Sequence, residues 1–182
     1  GGHCQRVPVI TKMLAQAACE ETEGALADFE LNDDQWEELH VAAWLHDCVT
    51  VAKGSPLRKQ ASGLAADEAV RFLGSIGYDE GLLPAVHHAI AAHSFSANIP
   101  CETLEAKVVQ DADRLEAIGA IGIARCFLTG GAMGTPLYDP SEPFAQGREL
   151  DDKRFTLDHF YVKLFKLADT MQTDAGRAEA LR

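Results

Sequence analysis

At 182 residues, with 47% hydrophobic and 24% charged side chains, the chain has room for one substantial core and the composition of an ordinary globular domain. A formal net charge of -12 argues against a broad nucleic-acid or membrane footprint, while a few local cations can still hold a small phosphorylated ligand. Five scattered cysteines (Cys4, Cys19, Cys48, Cys101, Cys126) form no CxxC pair and fit a reduced, cytoplasmic protein, not a disulfide framework. No segment nears the ~18 uncharged apolar residues of a membrane helix, and the start lacks the basic-then-apolar order of a signal peptide. The chain opens Gly-Gly without methionine, so further residues are expected upstream.

The dominant period is helical from the start. Val7, Ile10 and Leu14 recur at helix spacing, and Pro8 is expected to begin that helix near Val7, with His3 just before it. A second pattern covers 36–49 behind Asp33 or Asp34 as N-cap. Gly54 and Pro56 mark a break over 53–58, followed by a helix at 65–76 that stops at Gly77. The stretch 82–93 forms another, with Pro84 tolerable in its first turn. The longest helix is expected over 102–127, and 157–171 closes the set. With no alternating strand, repeat or low-complexity linker, the reading is all-α and one domain over 1–182.

Residues 130–156 break the regularity with glycines, prolines and no steady period. A loop of about 25 residues inside a compact domain is usually functional or disordered. Tyr138, Phe144 and Phe155 are expected to anchor it as a structured loop over the site, a possible lid.

Polar residues on apolar faces carry the functional signal. Leu104, Val108, Leu115, Ile118 and Gly122 form a stripe in the long helix, with Asp111 in its middle. A core-facing carboxylate must be paired, protonated or metal-bound. Asp113 lies about 200° further round an ideal helix and is not expected to be equivalent. His46 and Asp47 share an arc of about 100° with Trp36, Leu39 and Ala43. His3 precedes Val7, Ile10 and Leu14 at the same spacing. A single core histidine is more often hydrogen-bonded than metallated. Three separate segments each turning a His or Asp inward is harder to dismiss, and such a mixed N/O set suits Mn, Fe, Co, Ni or Mg, not a thiolate zinc site.

In this order, His3, then His46-Asp47, then Asp111 resembles the H…HD…D signature of the HD-domain metal-dependent phosphohydrolases. The surrounding stretches are more specific than the dipeptide: His3-Cys-Gln-Arg-Val7, Ala42-Ala-Trp-Leu-His-Asp47 and Val109-Gln-Asp-Ala-Asp-Arg-Leu-Glu-Ala-Ile-Gly119. Ala89-Ile-Ala-Ala-His-Ser-Phe-Ser-Ala97, Pro143-Phe-Ala-Gln146 and Leu150-Asp-Asp-Lys-Arg154 are similar to a YedJ-like bacterial subgroup of predicted hydrolases. The resemblance implies a helical bundle around one divalent ion, Mn or Mg favoured, held by His3, His46, Asp47 and Asp111. It also implies cleavage of (deoxy)nucleoside triphosphates to monophosphate and pyrophosphate. Families that hydrolyse guanosine tetraphosphate place acidic residues where this chain has Thr50 and Val51, so the resemblance does not extend to that activity.

Phosphoryl transfer relies on positioning and charge neutralisation, so cations near the ion matter as much as a base. Lys53, Arg58 and Lys59 follow the HD segment and are the expected phosphate grips, with solvated surface charge as the plain alternative. Arg114 and Lys153 are weaker candidates, and Glu68 is a possible acid facing the site alongside Asp47 and Asp111. His88 and His93 lie about 140° apart on an ideal helix, too far round for a shared second metal, and are read as substrate contacts. His40, His87 and His159 belong to no constellation. Two rival readings stay open: a nucleotide monophosphatase or phosphodiesterase with the same ion, and a non-catalytic metal- or nucleotide-binding signalling domain. Retention of all inward His and Asp residues speaks against the last. Oligomeric state is not readable from the sequence.

Overall fold

The computed structural model describes residues 2–22, 31–52 and 55–182 and is all-helical, with no strand among the described residues. Its helices are α1 (Gly2–Thr22), α2 (Asp33–Leu45), α3 (Ala61–Ser75), α4 (Leu83–Ala92), α5 (Leu104–Leu115), α6 (Gly119–Met133), α7 (Asp158–Val162) and α8 (Asp174–Ala180), with short 3-10 turns between some of them. Among the described residues, no single helix is long and apolar enough to cross a membrane.

Helix starts follow the side-chain chemistry closely. Asn32, one residue earlier than expected, caps α2: its Oδ1 accepts from Gln35 N at 2.9 Å, and Gln35 Oε1 accepts from Asn32 N at 3.1 Å. This reciprocal box leaves Asp33 and Asp34 in the first turn, where carboxylates suit the positive end of the helix. Thr103 and Thr173 cap α5 and α8 by the same kind of bond. Pro84 sits in the first turn of α4, as expected.

Two expectations about helix 1 and the long helix need correction. Pro8 does not start α1; it lies inside a helix that already contains His3. An interior proline removes a hydrogen bond at a cost of about 3 kcal/mol, and burial of Val7, Thr11, Leu14 and Ala15 along one face offsets it. The expected 102–127 helix is two helices, α5 and α6, bent by 67°. Gly119 takes φ +63°, a left-handed backbone that favours glycine, and at Gly122 a Cβ would come within 2.2 Å of the Ala117 carbonyl oxygen. Sequence period alone does not register either constraint.

α5 is the central post, packed against α1, α2, α4 and α8, while α3 lies on α4. Alanines 42, 65, 66, 69, 89, 92, 106 and 112 are nearly all fully buried, which lets these helices approach closely around Val7, Leu39, Ile90, Val108 and Val109. α6 stands apart from that core, with Ile121, Ile123 and Leu128 largely exposed.

The expected 157–171 helix is instead the short α7 followed by two 3-10 turns. The 134–157 segment is tied down chiefly by Asp158, which accepts from Arg148 Nη1 and Nη2 (2.6 and 2.9 Å) and from Asp151 N at 2.8 Å. Of its expected anchors only Phe155 is buried, between the guanidinium groups of Arg148 and Arg154; Tyr138 and Phe144 face solvent.

Candidate metal centre

Four helix ends meet at one place. His3 comes from the first turn of α1, His46 and Asp47 from the end of α2, His93 from the end of α4, and Asp113 from the last turn of α5. Three of these ends are C-terminal, where the backbone carries partial negative charge and favours a cation.

Two of the histidines are aimed by the same device. His46 Nδ1 donates to Ala43 O at 2.8 Å, and His93 Nδ1 donates to Ile90 O at 2.6 Å. Each ring thereby satisfies a carbonyl at the end of its own helix and turns its Nε2 inward. The rings stack edge-to-face in series, with centroids 5.3 Å apart for His3–His46 and 5.0 Å for His46–His93.

His3 Nε2 is the hub. It lies 3.3 Å from His46 Nε2, 3.3 Å from Asp113 Oδ1 and 3.6 Å from Asp47 Oδ2. Asp47 Oδ2 is also 3.9 Å from His46 Nε2, while Asp47 Oδ1 faces His93 Nε2 at 3.7 Å. One ligating atom each from His3, His46 and Asp113 lies within 4.8 Å of the others, a span one ion can bridge. His46 is fully buried, Asp47 is 40% exposed on the open side, and the donors are all imidazole nitrogen or carboxylate oxygen.

The electrostatics fit a cation at the hub. Asp113 and Asp47 push His3 up to about 10. Burial works against ionising Asp113 and Asp47, yet His3 and the neighbouring imidazoles outweigh it and hold both carboxyls below their usual range. Burial lowers His46, keeping its imidazole neutral and its Nε2 lone pair available. The residues therefore fit a divalent ion, and His3, His46, Asp47 and Asp113 can hold it.

Asp111, expected as the last ligand, is not part of this cluster. Its carboxylate accepts from Gln172 N, Thr173 N and Thr173 Oγ1, each at 2.8 Å, and so fastens the start of α8 to α5. Burial pushes this carboxyl up, against the pull of those donors. The apolar stripe misled because α5 is buried on nearly every face, so lying among apolar neighbours does not separate one aspartate from the other.

Other expected site residues fall elsewhere. Glu68 is 43% exposed with both oxygens on Arg71 of its own helix, so it is not an acid of the cluster. His88 Nε2 accepts from Glu102 N at 3.0 Å, which spends that nitrogen on the turn before α5. Arg114 is buried against Thr170 O and the Phe95 ring, bracing the 164–171 segment. Arg58 and Lys59 are exposed, and Arg58 Nη1 donates to Val51 O at 3.0 Å, just past the HD segment. Lys53 lies outside the described residues. Among the described residues, His93 is the expected substrate contact that touches the cluster.

The sequence reading missed Arg6, Glu116 and Arg125. Glu116, its side chain only 3% exposed, accepts from Arg6 Nε and Nη2 at 2.6 and 2.8 Å. Arg125, from α6, donates to Glu116 O at 2.9 Å and lies 3.4 Å from Glu116 Oε2. Glu116 and Arg125 border His3 at Nδ1, on the side away from the hub, and Arg6 reaches that side through Glu116.

Comparison with known proteins bears on this geometry. A family model described as the HD domain matches residues 1–118. YpgQ from Bacillus subtilis (strain 168) is 36% identical over 144 residues, 76% of this chain and 62% of that protein, so the shared stretch is less than two thirds of the relative's length. The crystal structure of B. subtilis YpgQ in complex with ADP aligns with a TM-score of 0.66 at 31% identity, covering 98% of this chain and 78% of that one. A Lactobacillus plantarum protein gives 0.67 at 34% identity, covering 99% and 78%. An HD-superfamily hydrolase from Bacillus thuringiensis gives 0.62 at 32%, covering 98% and 75%.

Proposed function

The chain belongs to the HD-domain family, and on that premise we propose that it is a divalent-metal-dependent phosphohydrolase that cleaves (deoxy)nucleoside triphosphates to monophosphate and pyrophosphate. The observation that carries the proposal is the convergence of His3, His46, Asp47 and Asp113 from three helices on one point with an open side. A nucleotide substrate is supported by the similarity to YpgQ, a protein crystallised with ADP. The triphosphate and the release of pyrophosphate rest on the sequence stretches that resemble the YedJ-like subgroup.

A divalent ion in this donor set supplies Lewis acidity to a phosphoryl oxygen and lowers the pKa of water. The chain's own residues orient and neutralise. Asp47 Oδ2 faces the hub while Oδ1 faces His93 Nε2, so the Asp47–His93 pair can take a proton from the attacking water and pass it to the leaving pyrophosphate. Arg58 and Lys59, exposed beyond the HD segment, are the proposed grips for the distal phosphates.

The test is a release screen with purified protein, a nucleotide panel and Mn²⁺, Mg²⁺, Co²⁺ or EDTA. Pyrophosphate released from triphosphates only with metal is the expected result. Orthophosphate from monophosphates would keep the ion and change the substrate; stoichiometric ion binding with no turnover on any nucleotide would refute the enzymatic reading.

A further inference from the structure

His46 and His93 are fixed by backbone carbonyls at Nδ1, but His3 is not. His3 Nδ1 instead lies 3.5 Å from Glu116 Oε2 and 3.2 Å from Arg125 Nη1. For a neutral imidazole to offer its Nε2 lone pair to an ion, Nδ1 must carry the proton and find an acceptor. A guanidinium has no acceptor, so of these two neighbours only Glu116 can serve. Its carboxylate is well placed to do so. It is buried, and Arg6 clamps both of its oxygens from α1, three residues on from His3.

We propose that Glu116 is the positioning residue of His3: its Oε2 accepts the Nδ1 proton and so presents Nε2 to a divalent ion shared with His46, Asp47 and Asp113. This rests on the metal-dependent reading above. Arg6 holds Glu116 in register through both oxygens, and Arg125 ties α6 to the same residue through the Glu116 carbonyl. The 3.2 Å approach of Arg125 Nη1 to His3 Nδ1 is then no hydrogen bond, because an Nδ1 that donates to Glu116 cannot also accept from Arg125.

Full-length wild type and Glu116→Gln are compared by Mn²⁺ calorimetry and by thermal melting in EDTA. Glutamine keeps the size and an acceptor oxygen but removes the charge, so the hydrogen bond from Nδ1 loses its charge assistance. The expected result is a Kd about 10–100-fold weaker in E116Q, with a melt in EDTA close to wild type because Arg6, already 42% exposed, can turn to solvent. A fall in melting temperature with an unchanged Kd would mark a merely structural residue and overturn the inference. Should E116Q fail to fold, wild type carrying ¹⁵N-histidine and loaded with Zn²⁺ decides by NMR. His3 ligated through Nε2 with a hydrogen-bonded Nδ1 proton supports the inference; ligation through Nδ1, or a bare Nδ1, overturns it. Wild type that takes up no ion at all overturns the metal reading and this inference together, whereas equal binding by wild type and E116Q overturns this inference alone.

Discussion

Asp111 and Asp113 stand two residues apart on one helix with opposite jobs, and substitution separates them. In Asp111→Ala, Gln172 N, Thr173 N and Thr173 Oγ1 lose their shared acceptor in a buried setting. A buried donor left unpaired costs about 1–3 kcal/mol. Some relaxation and water entry at the start of α8 is expected, so the net loss should be about 3–5 kcal/mol. For a chain of this size each kcal/mol moves the melting temperature by about 2–4 °C, which gives a drop of about 10 °C. Nothing in this loss touches the hub, so Mn²⁺ affinity in the folded variant should stay within about twofold of wild type.

Asp113→Asn should show the reverse pattern. It removes the carboxylate 3.3 Å from His3 Nε2, so Mn²⁺ binding should disappear while the melt in EDTA shifts by only a few degrees, since this pair is partly open to solvent. Circular-dichroism melts in EDTA, with calorimetry at a temperature where each variant is folded, give both readouts. An Asp111→Ala protein that melts like wild type but binds no ion would refute the assignment and return Asp111 to the ligand set.

Gly122→Ala should destabilise the chain by about 2 kcal/mol or more, because its Cβ would sit 2.2 Å from the Ala117 carbonyl oxygen at the α5–α6 bend; a melt unchanged within 1 °C would contradict this. Excess Mn²⁺ should raise the wild-type melting temperature, by the equivalent of about 2.7 kcal/mol at 100 times the Kd, and should leave Asp113→Asn unmoved. The loop offers a pH test. Arg148 holds the Asp158 carboxyl below its usual range, so the folded chain gives up that proton more readily than the unfolded one. The pair's stabilisation is therefore complete above about pH 4 and lost as pH falls through the lower folded value. The Asp151 amide, which donates to Asp158 Oδ2, should keep its NMR shift down to about pH 4 and move only below it; a midpoint above 4 would contradict the pairing.

The helical class and the places of α2, α3 and α4 were legible because an all-α chain writes its burial as a 3.6-residue period, as over 36–49 and 65–76. The long helix was not legible, because what divides it is backbone. A positive φ at Gly119 and the close approach at Gly122 leave no mark on the apolar pattern, which runs on unbroken from Leu115 through Ile118 to Ile121. The 157–171 segment failed for the opposite reason. Its apolar residues have helical spacing, but packing among Phe160, Tyr161 and Phe165 and the fastening of Met171–Thr173 to neighbouring groups settle it as short turns.

At the site, His3, His46 and Asp47 could be read because each breaks an apolar face that looks in one direction. That logic needs a helix with an outside, and α5 scarcely has one. A different sequence signal was available. His3 and Arg6 are three apart on α1, and Asp113 and Glu116 are three apart at the end of α5, so each pair lies on one side of its helix. In the structure the two pairs face each other: His3 meets Asp113 on the ion side, and Arg6 meets Glu116 behind it. Asp111 has no such partner on α1. Its partners are the backbone of residues 172 and 173 and the Thr173 hydroxyl, about 60 positions away, and no helix-to-helix charge pattern announces them. Charge matching between two helices identifies the ligand where hydrophobic periodicity on one helix does not. It does so because a functional carboxylate inside a bundle must be balanced by cations on the helix it faces.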